Sequence, residues 1–135
     1  MAGIVKVAQY LVVLTLGALL FVYIARFPNH FSDANWPAHA KAHLFSQLSI
    51  GAGFTIGALI ISVRYFHSRH KWVWWALLGF GVFSFIGYWA GKMFMEPETP
   101  WRSGNMVFAV LSVSYLLGLV LSWRYFLMGS TVGKS

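Results

Sequence analysis

The chain has 135 residues, of which 59% are hydrophobic and only 10% charged, whereas soluble domains carry about 45–50% apolar and about 25% charged residues. That balance excludes an ordinary soluble globule and a disordered chain. The net charge of +7 does not indicate nucleic acid, because the basic residues stand at the ends of apolar runs, where they set topology and meet anionic lipid.

Four uncharged runs follow one another: 7–25, 44–63, 72–91 and 103–123. Each is close to the roughly 20 apolar residues that a helix needs to cross the hydrocarbon core. Helices satisfy their own backbone hydrogen bonds, so they are the expected way to span lipid. The sequence therefore predicts an all-α, polytopic membrane protein forming one four-transmembrane-helix bundle over residues 1–135. The first run is longer than the roughly 7–15-residue core of a signal peptide and three spans follow it, so it is expected to stay as a span. There is no cysteine, which excludes thiol–disulfide chemistry and Cys-ligated zinc.

The second span is expected to begin early. Asp33-Ala34-Asn35-Trp36-Pro37 offers Asp or Asn as an N-cap and Pro in the first turn. A helix from Pro37 to Arg64 would be about 42 Å long, against a ~30 Å hydrocarbon core. Lys and Arg divide six to four between the two sides of the topology. The richer side holds the N-terminus, the 65–71 link and the C-terminus. The positive-inside bias then places both termini in the cytoplasm.

Ser62-Val63-Arg64-Tyr65-Phe66 is echoed 60 residues later by Ser122-Trp123-Arg124-Tyr125-Phe126. Either a two-helix hairpin has been duplicated, giving two tandem hairpins, or interfaces favour Arg and Tyr at both places independently. Gly51, Gly53 and Gly57 in the second span and Gly79, Gly81, Gly87 and Gly91 in the third are small residues that let helices approach closely, Gly53 with Gly57 and Gly87 with Gly91 at the Gly-x-x-x-Gly spacing. Trp72, Trp74 and Trp75 are expected in one interfacial belt, and Trp36, Trp89 and Trp101 in the other. His67, Arg69, His70 and Lys71 form a basic turn suited to anionic headgroups.

The candidate chemistry lies on the opposite side. His39 and His43 share a helix face at i, i+4, with Gln47 one turn deeper. Such a pair can bind one metal ion if a third ligand joins, from His30, Asp33, Glu96 or Glu98. It can equally act as a base and its partner, or cap an interfacial helix with no chemistry at all. Glu96, Glu98 and Arg102 fall in the third loop, on the same side, and are candidate catalytic residues with the two histidines. Trp36, Gln47, Tyr88, Lys92 and Asn105 are candidate substrate contacts. Lys92 could form an electropositive wall or simply snorkel to headgroups. No histidine pair lies mid-span on facing helices, which disfavours b-type haem. No acid lies mid-span, which disfavours a proton-coupled antiporter.

The segment Trp36-x-x-His39-x-x-x-His43, placed between a first and a second span, resembles that of the small four-helix membrane families grouped as DoxX-like and anthrone-oxygenase-like. The resemblance implies His39 and His43 as polar catalytic or substrate contacts, and a quinone-like or polyketide substrate handled without a metal. Two functions are carried forward. One is a small membrane enzyme, an oxidoreductase or isomerase, acting on a lipophilic molecule. In it His39 is the acid or base and His43 its partner, Arg102 or Lys92 steadies negative charge, and Glu96 or Glu98 orients a histidine. The other is a non-catalytic subunit or assembly factor of a larger membrane complex. The bilayer is the expected partner in both, and the glycine faces allow a homo-oligomer.

Overall fold

The computed structural model describes residues 2–32, 34–95 and 103–128. Its helices are α1 (Ala2–Phe31), α2 (Ala38–Arg64), α3 (Lys71–Gly81), α4 (Gly87–Met95) and α5 (Ser103–Leu127). A 3-10 turn, Phe66–Ser68, joins α2 to α3, and a π turn, Val82–Ile86, joins α3 directly to α4. The third span is thus α3, the π turn and α4 in series. All four spans are long and apolar enough to cross a membrane. The protein is a four-helix, multi-pass membrane bundle, and no strand occurs among the described residues.

The helices outrun the uncharged windows at both ends of the first span, at the start of the second and at the ends of the third and fourth. α2 does start early, but Pro37 is its N-cap and not its first helical residue. Pro37 has an extended ψ of 144°, and its carbonyl accepts the Lys41 backbone N–H at 3.1 Å. The expected cap by Asp33 or Asn35 is therefore displaced. Pro37 caps the helix with its main chain, and a residue before proline is disfavoured in the helical region, so the helix begins after it.

Successive spans run antiparallel and close into a ring: α1 packs on α2 and α5, and α3 packs on α2 and α5. The tightest seam joins α1 to α5. On α1 the buried residues are Val5, Ala8, Val12, Thr15, Leu16 and Leu19. On α5 they are Asn105, Phe108, Leu111, Ser112, Tyr115, Gly118, Leu119, Ser122 and Phe126, a face broad enough to meet α1 at Gly118 and the third span at Asn105, Phe108, Ser112, Tyr115 and Leu119. Most of these positions are three or four residues apart, the spacing of packed helix faces.

Glycine sets how close these helices come, at Gly81, one of the small residues expected to do so, and at Gly118, which was not among them. A Cβ on Gly118 would lie 2.8 Å from Val12 Cγ2 and 3.0 Å from the Ala8 carbonyl oxygen. One on Gly81 would lie 2.7 Å from the Tyr115 ring. At Gly53, Gly57 and Gly87 there is nothing within 4 Å. The Gly-x-x-x-Gly pair on α2 is thus not used inside the chain, because α2 turns that face outward.

The 65–70 turn and the ends of α1 and α5 gather at one end of the bundle, the turn end. Gln9 Nε2 donates to the Ser62 carbonyl at 2.9 Å, and the Tyr125 hydroxyl donates to the His67 carbonyl at 3.0 Å. The two echoed segments meet here in equivalent roles. Ser62 and Ser122 each donate back one turn along their own helix. Phe66 and Phe126 are both fully buried and pack edge to face at 5.2 Å. Trp72 and Trp75 are exposed as a belt would have them, but Trp74 points inward, its indole N–H donating to the Leu119 carbonyl at 3.1 Å.

Candidate functional site

At the far end of the bundle, polar side chains from α4 and α5 interlock. Tyr88 stacks flat on Phe108, with ring centroids 3.9 Å apart and planes 8° apart. That places its hydroxyl 2.7 Å from Asn105 Oδ1, to which it donates. One residue on, the Trp89 indole N–H donates to Ser112 Oγ at 3.1 Å. Ser112 in turn donates to the Phe108 carbonyl at 2.7 Å. Asn105, Phe108 and Ser112 lie on one face of α5 at steps of three and four, so α4 meets a ready-made polar ladder.

Two candidate residues from the sequence, Tyr88 and Asn105, are thus brought together. Trp89 and Ser112 join them without having been singled out as a pair. The signal was present: a serine one helical repeat beyond Asn105, opposite a tryptophan one residue beyond Tyr88. Among the described residues every buried side-chain nitrogen and oxygen has a partner. Tyr88→Phe should therefore cost about 1 kcal/mol, the range measured for interhelical hydrogen bonds in membranes. Thermal unfolding in detergent checks this; an unchanged midpoint would mean that the bond contributes nothing.

The histidine pair occupies a different place. His39 lies in the first turn of α2 and His43 in the second, with His43 and Gln47 exposed. Trp36, just before the helix, is half-buried. α2 packs along α1 and against α3 and has no extended contact with α4 or α5. The histidine stripe and the Tyr88–Asn105 pair therefore sit at the same end on separate helix pairs. Lys92 is placed by its backbone in α4, one turn beyond Tyr88. Glu96, Glu98 and Arg102, and with them the catalytic and ligand roles expected of them, lie outside the described residues. Among the described residues no group of three or more His, Cys, Asp or Glu could hold a metal ion.

No family model matches the chain, and no similar curated protein or solved structure is found. The resemblance to the DoxX-like and anthrone-oxygenase-like families rests on the chain's length, its four spans and the segment holding Trp36, His39 and His43.

Proposed function

We propose that the protein is a non-catalytic subunit of a larger membrane complex, and that α2 is the helix on which a partner's transmembrane helix docks. The observation that carries this reading is Gln47. It is exposed on α2 and makes no hydrogen bond among the described residues. The apolar stretch of α2, Ala40–Arg64, is 25 residues, or about 37 Å. Centred on a ~30 Å core, it carries Gln47 about 6 Å into hydrocarbon. An amide left unpaired there costs several kcal/mol, and interhelical hydrogen bonding is the usual remedy.

The surroundings suit a helix. Ser46, Ile50, Gly53 and Phe54 continue the exposed face at steps of three and four. Gly53 and Gly57 stand open, so another backbone could come close. α2 is also the barest span, with 11% of its apolar window buried against 39% in α5.

The test is the mass of the particle extracted from its own membrane in mild detergent. The wild-type particle should exceed the 15.2 kDa of a single chain, after allowance for bound detergent. Gln47→Leu combined with Gly53→Leu should reduce it to that mass with helical content unchanged. A wild-type chain that extracts as a monomer would sink the reading.

The enzyme reading keeps one observation in its favour: the Tyr88–Asn105 pair lies at the same end as the histidines and could contact a lipophilic molecule of quinone, polyketide or lipid type. It predicts a stoichiometric lipophile in solvent extracts of the pure protein, lost in Tyr88→Phe combined with His43→Ala. No such compound in the wild-type extract would remove it.

A further inference from the structure

We propose that the turn end is a binding site for the headgroup of an anionic phospholipid, centred on Arg69 and Lys71. Lys6, Arg64, Arg69, Lys71 and Arg124 all belong to this end and are all exposed or half-exposed. The contacts of Gln9 with Ser62 and of Tyr125 with His67 draw their elements together. The chain's three acids, Asp33, Glu96 and Glu98, belong in sequence to the two far-end links. Five cations therefore share one end with no carboxylate side chain beside them in sequence. Their counter-charge has to come from outside the chain, and at a membrane surface the phosphates of anionic lipids supply it.

The backbone makes this more than a diffuse cloud of charge. Arg69 is the one described non-glycine residue with positive φ, at 58°. Side chains other than Gly rarely sit there, and such strain tends to persist where the surroundings over-determine it. Here they do. Phe66 anchors the turn in the core. The Ser68 backbone N–H and hydroxyl both donate to the Tyr65 carbonyl, at 3.0 and 2.6 Å. The Tyr125 hydroxyl fixes His67 from the neighbouring helix. The guanidinium of Arg69 lies 5.0 Å from the centroid of the same Tyr125 ring.

A glycine would make this reversal without strain. An arginine in its place puts a pre-positioned guanidinium at the bundle's end, with in-plane N–H donors that match a phosphate bidentately. Lys71 opens α3, where the helix dipole adds to the same positive field. Trp72, next in sequence, pairs with Tyr65 at 5.5 Å. Both are exposed, as aromatic residues are at the boundary between headgroup and acyl chain.

The experiment uses the full chain in neutral detergent, titrated with short-chain phosphatidylglycerol or phosphatidylcholine and read by native mass spectrometry. Phosphatidylglycerol should bind at least about 30-fold more tightly. Arg69→Gln with Lys71→Gln should weaken it about 30-fold, roughly fivefold per cation, and leave phosphatidylcholine unchanged. Lys41→Gln, at the far end, should change neither. Arg69→Gly accepts the positive φ and keeps the turn, so it decides the matter if the double variant misfolds; it should lose about fivefold. Equal affinity for the two lipids would overturn the proposal. So would a preference that survives in the folded double variant or in Arg69→Gly. Displacement of phosphatidylglycerol by millimolar inorganic phosphate at constant ionic strength would point to a free-phosphate site and overturn it too.

Discussion

Gly118→Val is expected to be among the most damaging single substitutions in this bundle, costing about 3 kcal/mol or more of stability. The new Cβ would lie 2.8 Å from Val12 Cγ2, 3.0 Å from the Ala8 carbonyl oxygen and 3.3 Å from Leu11 Cβ. None of the three can yield locally. Val12 is β-branched and held to one rotamer on a helix, and it is fully buried. The Ala8 carbonyl and the Leu11 Cβ are fixed by the α1 backbone itself. The only relief is to move α1 away from α5. That uncovers Ala8 and Val12, both fully buried on α1. Gly17→Val is the matched control, since nothing lies within 4 Å of that exposed position on α1; its change should stay within about 0.5 kcal/mol. The two variants are compared by thermal unfolding in one detergent. Equal midpoints would mean that the α1–α5 seam is not packed as described.

The contrast between these glycines shows what could be read from the sequence. The spans were legible because charge is forbidden in hydrocarbon, so Lys6, Arg26, Arg64, Lys71, Lys92, Arg102 and Arg124 punctuate the chain. The helix faces were not legible by hydrophobicity, because inside a span every face is apolar and the usual periodicity vanishes. Leu16 is buried and Leu14 is 69% exposed, yet both are leucine. What did carry face information was polarity and size. Asn105, Ser112, Tyr115, Gly118 and Ser122 fall on one side of α5, and these are the residues expected where membrane helices touch. Reading small residues by the Gly-x-x-x-Gly spacing alone selected Gly53 and Gly57, which face outward, and passed over Gly118. The candidate site divides the same way. Tyr88 and Asn105 could be nominated by type, and their pairing needed the α4–α5 packing. His43 and Gln47 shared a stripe in sequence, but helical spacing is blind to whether that stripe faces the bundle or the surrounding membrane.

The π turn has no sequence signature of its own, and it follows directly on a close approach between α3 and α5. Tyr115 is fully buried. Its ring has Phe80 at 5.9 Å and Phe85 at 5.3 Å, and its hydroxyl donates to the Leu77 carbonyl at 2.8 Å. The ring is pressed against Gly81, the last residue of α3, and the chain widens into the π turn at the next residue. Insertions against a helix backbone commonly accompany such turns. Gly81→Ala should therefore destabilise the protein by about 2 kcal/mol, because its Cβ would come 2.7 Å from Cε1 and 3.1 Å from Cδ1 of a ring that Phe80 and Phe85 keep from swinging aside. Tyr115→Phe should cost about 1 kcal/mol, the worth of one interhelical hydrogen bond. The two should simply add, since phenylalanine keeps both offending carbons. Tyr115→Leu behaves differently. Alone it leaves a cavity and costs roughly 3 kcal/mol, but it removes the ring atoms that a Cβ at position 81 would strike. Gly81→Ala in that background should be nearly silent, giving a coupling of about 2 kcal/mol. The cycle is read from unfolding midpoints in detergent. If Gly81→Ala costs the same beside leucine as beside tyrosine, the ring is not what restricts position 81.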